Sequence, residues 1–205
     1  MKSFIYLAKE PEPSVYKDIE GLSKYGEVLV VACNLGYVDA FEKRGYNIIK
    51  SDLFFKMEDM RFDLVIGNPP FQESHHKGKT SSLWKKFLAK SEELSDRVSL
   101  IIPASFTAPT KLFDFYKNRL SLLDLTVGDY FSGVGSSFCR IVLEKEYQST
   151  CKVITKGGQY DLKMEEWDCV PKNLNDDIMS LIDKYFVIQD KKWKVSYEYD
   201  QRKKC

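Results

Sequence analysis

The residues of this chain best suited to chemistry are Asn68, Pro69, Pro70 and Phe71, which close the apolar run Phe62-Asp63-Leu64-Val65-Ile66-Gly67. That run reads as a strand buried on both faces of a parallel sheet. Two successive prolines fix the backbone just past the strand end and remove two amide donors. The Asn68 side chain and the Pro69 carbonyl remain as acceptors able to face a ligand. Such acceptors hold an exocyclic NH2 with its lone pair aimed at a methyl donor, which is catalysis by orientation and by stabilising developing positive charge. An aromatic ring at the fourth position can stack on the base that carries the amine. The chemistry implied is methylation of an amino group, and a plain Asn-Pro turn after a strand is the simpler alternative.

A site at a strand end needs a sheet to hold it, and the flanking sequence supplies alternating elements. Residues 14–25 read as a helix capped by Ser14 and stopped by Gly26. Residues 27–32 read as a buried strand, Cys33-Asn34-Leu35-Gly36 as a turn, 37–44 as a helix and 46–51 as the next strand, which is a βαβ unit. After a connector over 54–61 and the Pro-Pro string, 72–80 is a polar, basic loop. Ser81 or Ser82 caps a helix to about Leu94, with Leu83, Trp84, Phe87, Leu88 and Leu94 near one face. Residues 97–102 form a strand ending at Pro103, and 109–120 a helix whose Leu112, Phe113, Phe115 and Tyr116 are assigned to the core. Residues 122–127 and 138–143 read as strands. Past Glu146 come a strand over 152–155, a Gly157-Gly158 hairpin turn, a helix over 175–186 and a basic tail over 191–204 with Trp193, Tyr197 and Tyr199 interleaved. The alternation predicts an α/β fold with a Rossmann-like, doubly wound, mostly parallel sheet. Residues 1–146 make its main domain and 147–205 a small C-terminal appendage.

With 205 residues the chain can bury one sizeable core, and its net charge of +1 gives no whole-protein field toward nucleic acid. Any such contact uses local patches. The five cysteines show no C-x-x-C pair, so reduced cytoplasmic thiols are expected, with neither metal site nor disulfide framework. The two histidines, His75 and His76, are adjacent and lack a third ligand at metal spacing. No signal peptide and no membrane span are expected.

The order of elements from about Glu27 to Glu146 resembles the gamma-class DNA adenine-N6 methyltransferases of restriction-modification systems, in which the donor-binding strand precedes the Asn-Pro-Pro-aromatic string. That family carries an acid, then Pro-Ala-Cys, two residues and Gly as its donor-binding loop. Ala32, Cys33 and Gly36 match it, whereas Val30 stands in the acid's place and Val31 in the proline's. Asp52, followed by aromatic and aliphatic residues and then by Phe62 to Phe71, keeps the family spacing. The resemblance gives Asp52 a contact to S-adenosylmethionine, either to its adenine ring or to its ribose, since 46–51 runs straight into it. Ile101-Ile102-Pro103-Ala104-Ser105 is similar to the strand after the catalytic one, and Tyr130-Phe131-Ser132-Gly133-Val134 to the segment whose Phe stacks on the flipped base. Phe131 is first choice for that role and Phe138 second.

The resemblance thus implies direct transfer of a methyl group from S-adenosylmethionine to adenine N6 in DNA. Asn68, Pro69, Pro70 and Phe71 are the catalytic string, Phe71 and Phe131 the base-stacking pair, and Ala32, Cys33, Gly36 and Asp52 the donor site. His76, Lys77 and Lys79 are placed to touch the nucleic-acid backbone. Two other readings stay open: a methyltransferase-like subunit that has lost the donor and binds DNA or a partner, and a methyltransferase acting on an RNA base or a protein glutamine. Members of the family add a large recognition domain, and the short stretch after Glu146 implies a reduced recognition surface or a partner protein that reads the sequence.

Overall fold

A computed structural model describes Ser3–Phe4, Val28–Val31, Asn47–Ile48 and residues 54–71, 82–130 and 137–189. Its framework is a mixed sheet built from apolar runs. The strands are β1 (Ser3–Phe4), β2 (Val28–Val31), β3 (Asn47–Ile48), β4 (Leu64–Gly67), β5 (Arg97–Pro103), β6 (Leu120–Asp124), β7 (Phe138–Glu144), β8 (Cys151–Thr155) and β9 (Gly158–Leu162). Seven of them form one sheet in the order β2-β4-β5-β7-β6-β8-β9, while β1 and β3 pair parallel with each other. Strands β2, β4 and β5 are parallel, β7 runs antiparallel between β5 and β6, β8 is parallel to β6, and β9 turns back along β8. This is a shortened, Rossmann-like fold of the S-adenosylmethionine-dependent methyltransferase type. Its topology gathers the carboxyl ends of β2, β4, β5, β6 and β8 and the amino end of β7 along one edge.

Three helices are described: α1 (Leu83–Leu94), α2 (Lys111–Tyr116) and α3 (Asp176–Gln189). In α1 the residues Trp84, Phe87, Leu88, Ser91 and Leu94 recur at three- and four-residue spacing and are buried. The polar member of that face, Ser91, donates its hydroxyl back to the Phe87 carbonyl at 2.7 Å and so buries no bare donor. Ser82 occupies the N-cap position, yet its side chain makes no capping bond. Phe54 and Phe87 stack at 5.0 Å and join the connector to this core.

Three expectations are corrected. The helix expected over 109–120 is only Lys111–Tyr116, started by Thr110, whose hydroxyl accepts the Phe113 amide at 3.2 Å. A 3-10 turn, Lys117–Arg119, follows it, because Leu120 is fully buried in the ladder opposite Leu143 and that packing outweighs helix propensity. The strand expected over 122–127 is Leu120–Asp124, ended where the Asp124 carboxylate accepts both the amide and the hydroxyl of Thr126, at 2.8 and 2.7 Å. Phe115, assigned to the core, is 69% exposed, while Phe113 and Tyr116 are buried; in so short a helix only one face meets the sheet.

Residues after Glu146 extend the same sheet through β8 and the β8–β9 hairpin, with Lys156 and Gly157 at its turn. Gly157 is required there, since a Cβ would lie 2.5 Å from the Leu174 carbonyl oxygen. The segment closes on the core through Met164, Val170 and Leu174, and the Val170 amide donates to the Thr107 carbonyl at 3.2 Å. Among the described residues no helix is long and apolar enough to cross a membrane.

Candidate active site

The site is built outward from Gly67. That residue ends β4 between two parallel neighbours, opposite Val31 of β2 and Leu100 of β5. A strand end flanked on both sides forms the floor of a crevice where open α/β sheets bind ligands. Next comes Asn68, half-buried, whose Oδ1 is shielded from solvent and has no hydrogen-bond partner among the described residues. Leaving such an acceptor unmatched costs about 1–3 kcal/mol. Pro69 is buried and Pro70 half-buried, and neither has an amide with which to satisfy it. The string thus holds a desolvated acceptor that its own backbone cannot use.

Phe71 is half-buried against the core and stacks on Phe138, with ring centroids 4.9 Å apart and planes 25° from parallel. Phe138 is 3% exposed and opens β7 opposite Pro103. Just before it, the Ser137 carbonyl accepts the Ala104 amide at 2.9 Å, and its hydroxyl receives Lys172 Nζ at 2.5 Å. A third side comes from the end of β6. The Leu125 amide donates to the Ile154 carbonyl at 2.8 Å, and the 3-10 turn Val127–Tyr130 carries Asp129, ion-paired with Lys156 at 2.8 Å. Cys139, the next residue of β7, is fully buried, and burial pushes its thiol well above the usual range despite Lys172 nearby. It is held protonated and is no nucleophile. Among the described residues no group of three His, Cys, Asp or Glu is placed to hold a metal ion.

The structure therefore brings Asn68, Pro69, Pro70 and Phe71 to the sheet edge, together with Phe138. Phe131, Ala32, Cys33, Gly36, Asp52, His76, Lys77 and Lys79 lie outside the described residues. Val30 lies in β2 opposite Ile66. Sequence reasoning held Phe138 in reserve for the base; its ring instead lies against Phe71. Lys156 and Lys172 gave no sequence signal, because they reach this edge only through the strand order and sit in a stretch without a motif.

The sequence profile of the Eco57I restriction-modification methylase family matches residues 16–126, just over half of the chain. No curated protein sequence matches. Among solved structures, the chain is similar to a protein described as a class I S-adenosylmethionine-dependent methyltransferase from Listeria monocytogenes, with 13% identity over 74% of this chain and 57% of that one and a TM-score of 0.52. A methyltransferase subunit of a type I restriction-modification system from Streptococcus thermophilus is 13% identical over 91% of this chain and 48% of its own, with a TM-score of 0.49. The chain spans about half the length of the solved proteins it resembles.

Proposed function

The chain belongs to the Eco57I restriction-modification methylase family, and from that premise we propose that it transfers a methyl group from S-adenosylmethionine to the N6 amine of adenine in DNA. The observation that carries the reading is the buried, unpartnered Oδ1 of Asn68 at the carboxyl end of β4. An exocyclic amine offers the hydrogen this atom lacks, and the Pro69 carbonyl offers a second acceptor. Gripping both hydrogens turns the nitrogen lone pair outward and stabilises the positive charge that grows on nitrogen as it reacts. Phe71, braced by Phe138, supplies a flat face for an extruded base, and Phe131 is proposed as its opposite wall. The amine reacts directly, so no protein nucleophile is needed, and the product proton leaves to water or a carbonyl acceptor.

The acceptor half of the site fits such a donor, since its orphan acceptor lies just past Gly67, the residue opposite the end of β2. S-adenosylmethionine, when bound, supplies an electrophilic methyl group on a sulfonium. Ala32, Cys33, Gly36 and Asp52 are the residues proposed to hold it, and His76, Lys77 and Lys79 to meet DNA phosphates. We assign residues 1–146 to the methyltransferase unit and 147–205 to a smaller segment. A partner protein is proposed to read the bases around the target adenine.

Radiolabelled donor offered with DNA, RNA and protein in parallel tests this reading. Label recovered as N6-methyladenine in DNA is the expected result, and label in protein or RNA alone refutes it. A second reading, a DNA- or partner-binding subunit without donor, is favoured by Val30, an apolar strand residue where the family carries its acid. Calorimetric titration separates the two, because absence of heat at millimolar donor selects the second.

A further inference from the structure

We propose that Lys172 is a positioning residue for the acceptor side of the site, acting through Ser137 and Phe138 on the ring of Phe71. The inference rests on the methylation reading only for its kinetic consequence; the contacts stand by themselves. Phe71 belongs to the catalytic string, and its ring lies on Phe138 at 4.9 Å. Phe138 is the first residue of its strand, opposite Pro103. Pro103 and Phe138 form a non-hydrogen-bonded pair, so the ladder is intact despite the proline and its last bond flanks the pair, from the Ala104 amide to the Ser137 carbonyl at 2.9 Å. Ser137, the residue before Phe138, is thus held by that ladder bond and by a second bond from Lys172 Nζ to its hydroxyl at 2.5 Å. The second is charge-assisted, but both side chains are exposed to solvent, so it orients Ser137 rather than adding much stability.

Lys172 can act as a brace because its own base is fixed. It lies between Val170, buried and bonded to the Thr107 carbonyl, and Leu174, fully buried, whose carbonyl accepts the Thr155 hydroxyl at 2.6 Å. Lys117, itself 6% exposed, ties the same segment down by donating to the Trp167 carbonyl at 3.2 Å. The segment after Glu146, outside the family-matched region, thereby reaches the acceptor wall. Through a neighbouring contact it also meets the other flank of that wall, where Lys156 pairs with Asp129.

The test uses the full chain with ring-labelled phenylalanine, comparing wild type with Lys172→Met and Lys172→Arg. In Lys172→Met the Phe71 and Phe138 ring resonances shift and broaden. Its kcat on DNA falls about tenfold, as for a small misplacement of a reacting group. The melting temperature and donor affinity stay at wild-type values, and Lys172→Arg, which keeps the cationic donor, restores both the spectrum and kcat. Unchanged ring resonances in Lys172→Met overturn the proposal. So does a fall in kcat that tracks a lower melting temperature and is not rescued by arginine, since that is a merely structural role. A wild-type chain that labels no DNA sinks the methylation reading, and the ring resonances still decide the role of Lys172.

Discussion

At the amino-terminal ends of β5 and β6, charged and polar side chains gather into a network of hydrogen bonds and ion pairs, in which Glu92 Oε1 has an ion-pair contact but no hydrogen bond, whereas at the carboxyl end of β4 an acceptor stands apart from any such network. In the first region Tyr116 donates its hydroxyl to Glu92 at 2.5 Å, Arg119 pairs with Glu92, and Arg119 Nε donates to the Glu144 carbonyl at 2.9 Å. Ser121 and Arg97 meet the Glu144 carboxylate at 3.0 and 3.3 Å. In the second region Asn68 Oδ1 has no partner among the described residues. The Asn118 Oδ1 near the first region is also unpartnered, so an orphan oxygen alone does not mark a site. What distinguishes Asn68 is its setting: two prolines that cannot donate, a crevice between parallel strands and a braced aromatic ring beside it. The first region is organised for stability, whereas the second leaves an acceptor unmatched, as the proposed grip on an amine requires.

The largest expected effect follows at Asn68. Replacing it with alanine removes the acceptor, and the methylation rate falls on the order of a hundredfold, the loss typical of one preorganised hydrogen-bonding group. Stability does not fall with it. Removing a buried, unmatched acceptor relieves about 1 kcal/mol, so the melting temperature stays level or rises. Single-turnover label transfer and a thermal melt on the same sample check both halves. A variant that melts several degrees lower yet methylates normally would make Asn68 a structural residue and erase the contrast.

Arg119→Met should do the reverse. It strips the cation from Glu92 and the donor from the Glu144 carbonyl, and lowers unfolding free energy by about 1.5–3 kcal/mol, the range for hydrogen bonds to charged groups. At temperatures where the variant stays folded, kcat matches wild type, because this network lies at the edge of the sheet away from Asn68. Urea denaturation and steady-state rates measured side by side decide it. A kcat loss without loss of stability would couple the two edges.

Which parts were legible in the sequence follows from the same contrast. The acceptor string was readable because two prolines after an apolar run are a local signal, and β4, β5, β7 and α1 were readable because their burial leaves a local hydrophobic pattern. The network at Glu92 was not, since Glu92, Tyr116, Arg119 and Glu144 come from four elements and only the fold unites them. The same holds for Lys156 and Lys172. Residues 117–121 were misread for a related reason: Leu120 fits a helix face by spacing, and only its partner Leu143 makes it a strand. Phe115 shows the limit from the other side, an apolar residue in an apolar-looking helix that faces solvent.

The smallest effect separates the edges by pH. Burial, then the bond to Glu92 and its negative charge, raise the Tyr116 hydroxyl above its ordinary value, with Arg119 opposing weakly. A group raised in the folded state stays protonated there after the unfolded chain has let its proton go. Its contribution is therefore fully present below pH about 10, where free tyrosine ionises, and is lost as pH climbs from there toward the folded value, by about 1.4 kcal/mol per pH unit. Cys139 is likewise raised by burial, and Cys151 is pushed up to about 12 for the same reason. Free thiols ionise near pH 8.5, so their loss begins earlier, and urea melts between pH 8 and 11 should show two onsets. Tyr116→Phe diminishes the later one, to which Tyr147 and Tyr160, also raised, contribute as well, and leaves the earlier. Asn68→Ala leaves both, because Asn68 has no proton to lose. If the onset near pH 10 is undiminished in Tyr116→Phe, the tyrosine is not the alkaline hinge of the stabilising edge, and Tyr147 and Tyr160 account for it in its place.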